Sequence, residues 1–267
     1  MAGQSASGVR YFARLHGVKD PATSEGSCCE GQSVRMFGAA PEHVFTASPA
    51  GDVLSIDLYE ASTITLARAD DVEVTATIST QWPYATRADI LVSASAALPA
   101  GALTLHVRVP AWAQLTSGSA NVSILLDGEP WASAAPGSYA VIALDGVPAA
   151  GARNVSLELA MAPAAQLYTG VTQKGALQRF AYTFGPFLLA AEGEWDGQLD
   201  VVVLNGTEAT RPQDWLEAPA ETPPGALPAA GTAFIARGAN PSVQLRPYFE
   251  IGTGEKFTVF PVVIGPS

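Results

Sequence analysis

After an irregular stretch at residues 1–27, apolar residues fall at helical spacing, and the pattern then changes to short segments in which apolar and polar residues alternate. Between residues 28 and 48 the apolar positions fit a short helix, which Pro41 divides or restarts. From residue 53 onward each alternating segment ends at Gly, Pro, Asp or Ser. The first predicted strands lie at residues 53–59, 72–80, 88–95, 103–109, 121–128, 139–144 and 154–161. Regular short strands with turn residues between them predict a mainly β fold built on an antiparallel β-sandwich.

The alternation is looser after Met161 but still predicts strands. These lie at residues 176–184, 186–193, 199–206, 232–237, 243–249 and 256–264. Residues 217–232 are rich in Pro, Ala and Gly and are interpreted as a loop or linker. We therefore predict three regions. Residues 1–50 are irregular up to residue 27 and helical after it, residues 51–165 form a β-sandwich domain, and residues 166–267 form a second β region.

The predicted helix at the start of the chain has no partner helix in the sequence. A lone short helix is marginal in water because few residues share the cost of its first turn. Two interpretations stay open. The helix packs on the sandwich, or it is the end of a helical domain of which this chain holds only the last part.

The amino-acid composition and net charge of the chain restrict the kinds of molecule that it is expected to bind. Hydrophobic residues make up 48% of the chain and charged residues 15%, which favours a folded core over disorder. The net charge of −11 argues against nucleic acid or an anionic membrane as partner, since both need a basic surface. No apolar run has the length of a membrane span, and the first residues lack signal-peptide features. Three sequons, at Asn121, Asn154 and Asn205, would matter only in a secreted chain, so the compartment stays open.

Cys28 and Cys29 are adjacent and are the only two cysteines in the chain. Their Cα atoms are about 3.8 Å apart, whereas an unstrained disulfide needs about 4.4–6.8 Å. Buried thiols, an intermolecular bridge, metal ligation and a nucleophile remain as explanations. Zinc accepts thiolate ligands, and Glu25 and Glu30 lie nearby. The residues alone favour two buried thiols, because the pair lacks the spacing of ordinary zinc motifs.

Other candidate chemistry is weaker. The histidines His16, His43 and His106 are far apart in sequence, and no G-x-S-x-G motif is present to support a serine nucleophile. Four aromatic residues offer either a sugar-stacking platform or part of the sandwich core, and the second use is more common for aromatic residues in strands. These residues are Trp82, Tyr84, Trp112 and Trp131.

Several segments, in the same order, resemble the β-L-arabinofuranosidase-like glycoside hydrolases. SCCEGQSVRMFGAAPEHVF resembles that family's CC-x-G-x-x-x-R segment, and LTLHVRVPAWA is similar to its LRIP-x-Wa strand. VLSIDLYEAST, TQWPY, FGPFLLAAEG and RPYFEIGTGEKFTVFPVV are similar to further segments of the family. The resemblance covers nearly the whole chain.

The resemblance implies a helical (α/α) barrel followed by β-sandwich domains, with this chain holding the end of the barrel and the sandwich part. It implies that Cys28 is the nucleophile of a retaining mechanism, that Cys28 and Cys29 are zinc ligands, and that the substrate is an arabinofuranoside-type glycan. The family's acid/base glutamate, a glutamate ligand and a third cysteine ligand precede its CC pair. Residues 1–27 hold no cysteine, and Glu25 is too close to the pair to match either glutamate.

The differences between this chain and the family's motifs lead to one expectation about its activity and leave one alternative function. We expect this chain alone to be inactive, because the family's acid/base glutamate and part of its zinc shell have no counterpart in the sequence. The family's R-x-W-x-x-GD turn is also replaced by residues 143–154, a change confined to a loop. The alternative function is a non-catalytic β-sandwich module that binds carbohydrate or has a structural role.

Overall fold

The computed structural model describes residues 16–18, 35–36, 38–114, 121–167, 180–192, 201–203, 210–237, 243–252, 254–259 and 262–264. These residues are mainly β, which confirms the predicted fold class. The described strands are β1 (His16–Val18), β2 (Phe45–Ala47), β3 (Val53–Ile56), β4 (Ser62–Ala67), β5 (Glu73–Thr80), β6 (Arg87–Ala94), β7 (Thr104–Val109), β8 (Val122–Leu126), β9 (Glu129–Ala134), β10 (Ser138–Ala143), β11 (Ala152–Glu158), β12 (Pro163–Leu167), β13 (Phe180–Phe184), β14 (Phe187–Glu192), β15 (Val201–Val203), β16 (Leu216–Glu217), β17 (Phe234–Ala236), β18 (Gln244–Pro247), β19 (Lys256–Thr258) and β20 (Val262–Ile264).

The chain forms two compact units. One consists of residues 37–161 with 223–226, and the other of residues 1–36, 162–222 and 227–267. The predicted division at residues 50 and 165 stays a prediction. Among the described residues, no helix has both the length and the apolar character needed to cross a membrane.

The unit of residues 37–161 contains two sheets. Six strands pair in the order β4-β5-β6-β11-β8-β9, and four pair in the order β10-β7-β3-β2. Alternation places one side of each strand inside: in β5 the buried residues are Val74, Ala76 and Ile78, with Thr75 and Thr77 on the other side. The inward residues of both sheets belong to one hydrophobic core, as expected for a sandwich.

One pair of strands in the four-stranded sheet is parallel. Val53 of β3 lies opposite Thr104 of β7, and the register continues to Ile56 opposite Val107. The chain crosses from β3 to β7 through β4, β5 and β6 of the other sheet, so no crossover helix is needed. The prediction of a mainly antiparallel sandwich is therefore confirmed, with the pairing of β3 and β7 as a parallel exception in this unit.

The helical segment is short and leads directly into the sandwich. Residues 35–36 and 38–39 are helical, and a 3₁₀ helix follows at Ala40–His43. Val44 and Phe45 are then buried in the sandwich core, and the amide of Asp57 donates to the carbonyl oxygen of Val44 at 2.9 Å. The 3₁₀ helix itself buries no residue, so both interpretations of the helical segment, packing on the sandwich or ending a helical domain, stay predictions.

Two strands of the six-stranded sheet are absent from the sequence prediction, and in the four-stranded sheet β2 lies where a helix is predicted. The two absent strands are β4 and β9, the outermost strands of the six-stranded sheet. An edge strand buries less of its inner face: Ile64 and Leu66 of β4 are only half-buried, and Trp131 of β9 is exposed. Because few side chains of these strands are fully buried, apolar and polar residues alternate only weakly along them. Their sequences therefore resemble those of loops.

Part of the predicted linker packs against the sandwich. Residues 223–226 belong to the same compact unit as residues 37–161, and the Met161 amide donates to the Gly225 carbonyl oxygen at 2.8 Å. Gly225 has φ of +78°, and a Cβ added there would lie 2.7 Å from the Cβ of Ala160. Glycine is therefore required here both by the backbone conformation and by the close approach.

The other unit is built on an eight-stranded sheet. Its main path is β1-β19-β14-β18-β17-β16, and β13 pairs with both β12 and β14. His16 of β1 lies opposite Thr258 of β19, so residues 16–18, predicted to be irregular, form a strand. The predicted strand at 256–264 is two strands, because β19 joins this sheet while β20 pairs in parallel with β15.

Aromatic side chains fill the core of this second unit. Tyr182 and Trp215 meet edge to face with ring centroids 5.0 Å apart, and Phe184 lies 4.9 Å from Phe234. All four are buried: β13 turns Tyr182 and Phe184 inward, β17 turns Phe234 inward, and Trp215 directly follows the 3₁₀ helix at Pro212–Asp214. Their large apolar areas supply much of the burial that a small unit needs.

Candidate functional site

The predicted catalytic and metal-binding residues lie outside the described part of the chain. Cys28 and Cys29, with Glu25 and Glu30 beside them, fall in the interval between residues 18 and 35. Their roles as nucleophile and zinc ligands therefore stay predictions. Within the residues that the structure describes, no three His, Cys, Asp or Glu side chains gather closely enough to hold a metal ion.

The three histidines occupy three different elements. His16 is in β1, His43 is exposed at the end of the 3₁₀ helix, and His106 is half-buried on β7. His106 lies between Ser55 of β3 and Val141 of β10 in the register of the four-stranded sheet. His106 therefore occupies the position of an ordinary strand residue.

The four aromatic candidates divide into two groups. Trp82 and Trp112 stack with ring centroids 5.3 Å apart and an interplanar angle of 21°, and both pack against the sandwich core. The core interpretation is therefore confirmed for this pair. Tyr84 and Trp131 are 40% and 50% exposed, respectively, and do not belong to the core.

The outer face of the six-stranded sheet carries an open depression. It has a volume of about 520 Å³ and is lined by Ala61, Ile78, Ser79, Thr80, Gln81, Ala85, Arg87 and Asp89. The cause is a difference in strand length. The register of β4 with β5 ends at Ser62 opposite Ile78, so β5 continues past β4 through Ser79 and Thr80. The last residues of β5, the following turn and the start of β6 therefore form the walls.

Arg87 and Asp89 form the charged wall of this depression. They are two residues apart on β6 and so point to the same side of the sheet. Arg87 Nε donates to Asp89 Oδ1 and Oδ2 at 3.1 and 3.0 Å, and Arg87 Nη2 donates to Oδ1 at 2.9 Å. Asn154 Nδ2 adds a bond to Oδ1 at 3.2 Å. The hydrogen bonds from Arg87 hold the pKa of the Asp89 carboxyl below its usual value.

Hydrogen bonds also fix the turn that forms the opposite wall. The Thr80 hydroxyl donates to the Arg87 carbonyl oxygen at 3.1 Å and accepts from the Trp82 amide at 3.0 Å. The amides of Tyr84 and Ala85 donate to the Gln81 carbonyl oxygen at 2.9 and 3.2 Å. The main chain of Gln81 is therefore held in place, while its side chain is exposed at the depression.

A second polar cluster lies on the outer face of the four-stranded sheet. The Asp57 carboxylate accepts from Thr46 Oγ1 at 2.8 Å and from the Tyr139 hydroxyl at 2.6 Å. Arg108 Nη1 donates to the Asp57 carbonyl oxygen at 3.0 Å. These bonds tie β2, the end of β3, β7 and β10 together, so we interpret this cluster as structural.

Sequence reasoning missed the depression. Its signal was present as Arg87-Ala88-Asp89, which puts two opposite charges on the outer side of an alternating strand. The sequence does not show which strands neighbour β6 or where β4 begins, and both decide whether a cavity forms.

Comparison with known proteins finds one family model that matches part of the chain and several solved structures of similar fold. Residues 53–161 match the family model described as the middle domain of GH127, β-L-arabinofuranosidase. No curated protein sequence matches the chain at a significant level. Several solved structures are similar in fold. A protein described as a glycoside hydrolase has a TM-score of 0.64 and 18% identity over 98% of this chain and 46% of its own.

Two more similar structures are GH127 enzymes. A β-L-arabinofuranosidase from Geobacillus stearothermophilus has a TM-score of 0.59 and 19% identity, over 89% of this chain and 37% of its own. A GH127 β-arabinofuranosidase has a TM-score of 0.56 and 17% identity, over 90% of this chain and 40% of its own. The chain thus spans less than half the length of these proteins, and the likeness shows a shared fold.

Proposed function

We propose that this chain, whose residues 53–161 match the model of the GH127 middle domain, is the C-terminal part of a glycoside hydrolase acting on an arabinofuranoside-type glycan. The observation that carries the proposal is the position of the family match. The matched domain begins 24 residues after Cys29, so the CC segment directly precedes the sandwich, in the order that the family resemblance implies.

We assign the nucleophile to Cys28. Its thiolate would attack the anomeric carbon and form a carbon–sulfur bond as the bond to the leaving oxygen breaks and a carboxylic acid protonates that oxygen. The resulting carboxylate would then take a proton from water while the water oxygen displaces sulfur from the carbon. Two inversions at one carbon retain its configuration. The acid/base group belongs, by the family resemblance, to a helical barrel.

Zinc is the metal that the donor set favours. Cys28 and Cys29 offer two thiolates, and structural or catalytic zinc sites use such ligands in sets of three or four protein groups. When bound, zinc would keep a ligating thiol deprotonated near neutral pH. The remaining ligands would come from the barrel, since Cys28 and Cys29 are the only cysteines here.

The proposal is tested with an aryl β-L-arabinofuranoside. We expect no turnover by this chain alone, because loss of an acid/base group typically costs about 10²–10⁴-fold in rate. Turnover is expected when the chain is produced together with the polypeptide encoded immediately upstream. A Cys28→Ser variant should abolish it, and mass spectrometry of the trapped wild type should find a sugar on the peptide containing Cys28.

Two results would contradict the proposal. One is turnover by this chain alone. The other is turnover, in the presence of the upstream polypeptide, that a Cys28→Ser variant leaves unchanged. Asp127→Asn is a suitable control variant, because this exposed carboxylate lies in the sandwich and pairs with Arg153.

A further inference from the structure

We propose that the depression between the end of β5 and the start of β6 binds a neutral sugar through two neighbouring hydroxyl groups. The inference rests on the proposed function only for the class of ligand, carbohydrate. The site itself is independent of Cys28 and Cys29, because all its walls come from the sandwich.

The charge of the walls selects a neutral ligand. Arg87 and Asp89 are the two charged residues lining the depression, and their charges offset each other. An anionic ligand would meet the Asp89 carboxylate, and a cationic one the Arg87 guanidinium. A pair of sugar hydroxyls suits both, since a hydroxyl donates to carboxylate oxygen and accepts from a guanidinium N–H.

Donors and acceptors remain for such a ligand after the internal bonds are made. Arg87 uses Nε and Nη2 on Asp89, and none of the described residues accepts a hydrogen bond from its Nη1. Asp89 Oδ2 accepts only from Arg87 Nε in the described residues, so a further lone pair is open. The exposed Gln81 amide adds two donors and one acceptor at the facing wall.

The two charged groups are already ordered before a ligand binds. The bidentate contact fixes Arg87, and Asn154 Nδ2 on the neighbouring strand holds Asp89 from the other side. A site whose side chains are ordered in advance loses less conformational entropy on binding. The two alanines of the wall, Ala61 and Ala85, offer contact for the C–H groups of a sugar ring, whereas Ile78 is buried in the core.

A polar row continues from the depression across the sheet. Ser79, Asp89 and Ser156 are register partners on β5, β6 and β11 and share the outer face. The Ser156 hydroxyl is buried, and the described residues give it no hydrogen-bond partner. The row therefore contains hydrogen-bonding groups beyond those that the sandwich needs for its own structure.

Binding is measured on the whole chain by nuclear magnetic resonance titration with methyl β-L-arabinofuranoside at millimolar concentrations. We expect saturable shifts of the Ser79, Gln81 and Asp89 amide signals. An Asp89→Asn variant should weaken binding about tenfold or more, because a charge-assisted hydrogen bond is lost. Gln81→Ala should weaken it less.

Asp70→Asn is the matched control. Asp70 also accepts bonds from an arginine two residues earlier, Arg68, through Nε at 3.1 Å and Nη2 at 3.2 Å, but it lies outside the depression. This variant should bind like the wild type. The proposal is overturned if the wild type shows no saturable shifts, if both Asn variants weaken binding equally, or if galacturonate, an anionic sugar, binds more tightly than the neutral one.

The outcome separates this site from the proposed catalytic function. Sugar binding that depends on Asp89 and persists in a Cys28→Ser variant supports the depression regardless of turnover. Turnover that depends on Cys28 and is unchanged by Asp89→Asn, in a chain without saturable shifts, would leave the catalytic proposal standing and reject the binding site.

Discussion

The Tyr59 hydroxyl donates a hydrogen bond to the main-chain carbonyl oxygen of Arg108, a residue 49 positions later. Arg108 in turn donates from its guanidinium to the Asp57 carbonyl oxygen, two residues before Tyr59. The segment after β3 is thus joined to β7 from both directions. Burial raises the pKa of Tyr59, so its hydroxyl remains protonated and able to donate.

We expect a Tyr59→Phe variant to lower the free energy of unfolding by about 1–2 kcal/mol, because a largely buried hydrogen bond is removed while the ring is kept. Urea denaturation followed by tryptophan fluorescence measures the change. Tyr139→Phe is the control: its hydroxyl bonds to Asp57, but the residue is 46% exposed. The control should change stability by less than about 0.5 kcal/mol. Equal losses of unfolding free energy in both variants would show that the hydrogen bond from Tyr59 to Arg108 contributes no more to stability than the bond from Tyr139 to Asp57.

The close approach of Gly225 to Ala160 gives a second prediction. A Gly225→Ala variant should lose about 1–3 kcal/mol of stability, because the added Cβ meets Ala160 at 2.7 Å and φ is +78°. Gly101→Ala is matched in backbone, with φ of +76° and open space around the added Cβ. The difference between the two thermal unfolding midpoints isolates the steric part. A Gly225 variant as stable as the Gly101 variant would mean that residues 223–226 do not pack on the sandwich.

The buried Ser156 hydroxyl leads to a prediction of opposite sign. Because the described residues give Ser156 Oγ no hydrogen-bond partner, its desolvation is not offset. We expect Ser156→Ala to be neutral or to stabilise the chain by up to about 1 kcal/mol. Denaturant unfolding measures this directly. A loss of more than about 1 kcal/mol would show that the hydroxyl makes a hydrogen bond of ordinary strength.

Asp89 should contribute to the acid sensitivity of the sandwich. Its pKa is lowered in the folded chain, chiefly by the hydrogen bonds from Arg87, from an ordinary value of 3.8. Its stabilising effect is therefore fully present above that value and is lost as the pH falls through the lower folded pKa. Carbon-detected titration of the carboxyl should find the pKa below 3.8 in the wild type and closer to 3.8 in an Arg87→Ala variant. A pKa that Arg87→Ala leaves unchanged would contradict the assignment.

The sequence predicted the centre of the fold better than its edges. β5, β6 and β7 were placed within a residue or two, because each buries alternate residues completely and the pattern is strong. The edge strands β4 and β9 bury too little to leave that pattern. The parallel pairing of β3 with β7 depends on contacts between residues about 50 positions apart, which local alternation does not encode.

The candidate sites differ in the same way. Cys28 and Cys29 can be found from the sequence because they are adjacent and fit a family motif. The depression cannot be found in this way, because its lining residues come from before β4, from β5, from a turn and from β6. Only the register brings Ser79 opposite Asp89. Side chains that act together across strands are visible once the strands are paired, and not before.

The last prediction concerns zinc. We expect Cys28 and Cys29 to remain reduced in this chain, since adjacent cysteines are too close for an unstrained disulfide, and to bind zinc weakly. Two thiolates supply half of the usual tetrahedral set. Binding must also displace thiol protons, which lowers the apparent affinity near neutral pH. Isothermal calorimetry of the wild type against a Cys28→Ser, Cys29→Ser double variant measures the effect.

A companion titration separates the contributions to zinc affinity. When the polypeptide encoded upstream is added, we expect the affinity to rise because it provides the remaining ligands, and the double variant should lose this gain. Raising the pH should tighten binding by the wild type alone, since a larger fraction of each thiol is then deprotonated. Tight, stoichiometric binding by this chain alone, absent from the double variant, would show instead that residues of this chain complete the zinc site, and that the upstream barrel is not needed to hold the metal.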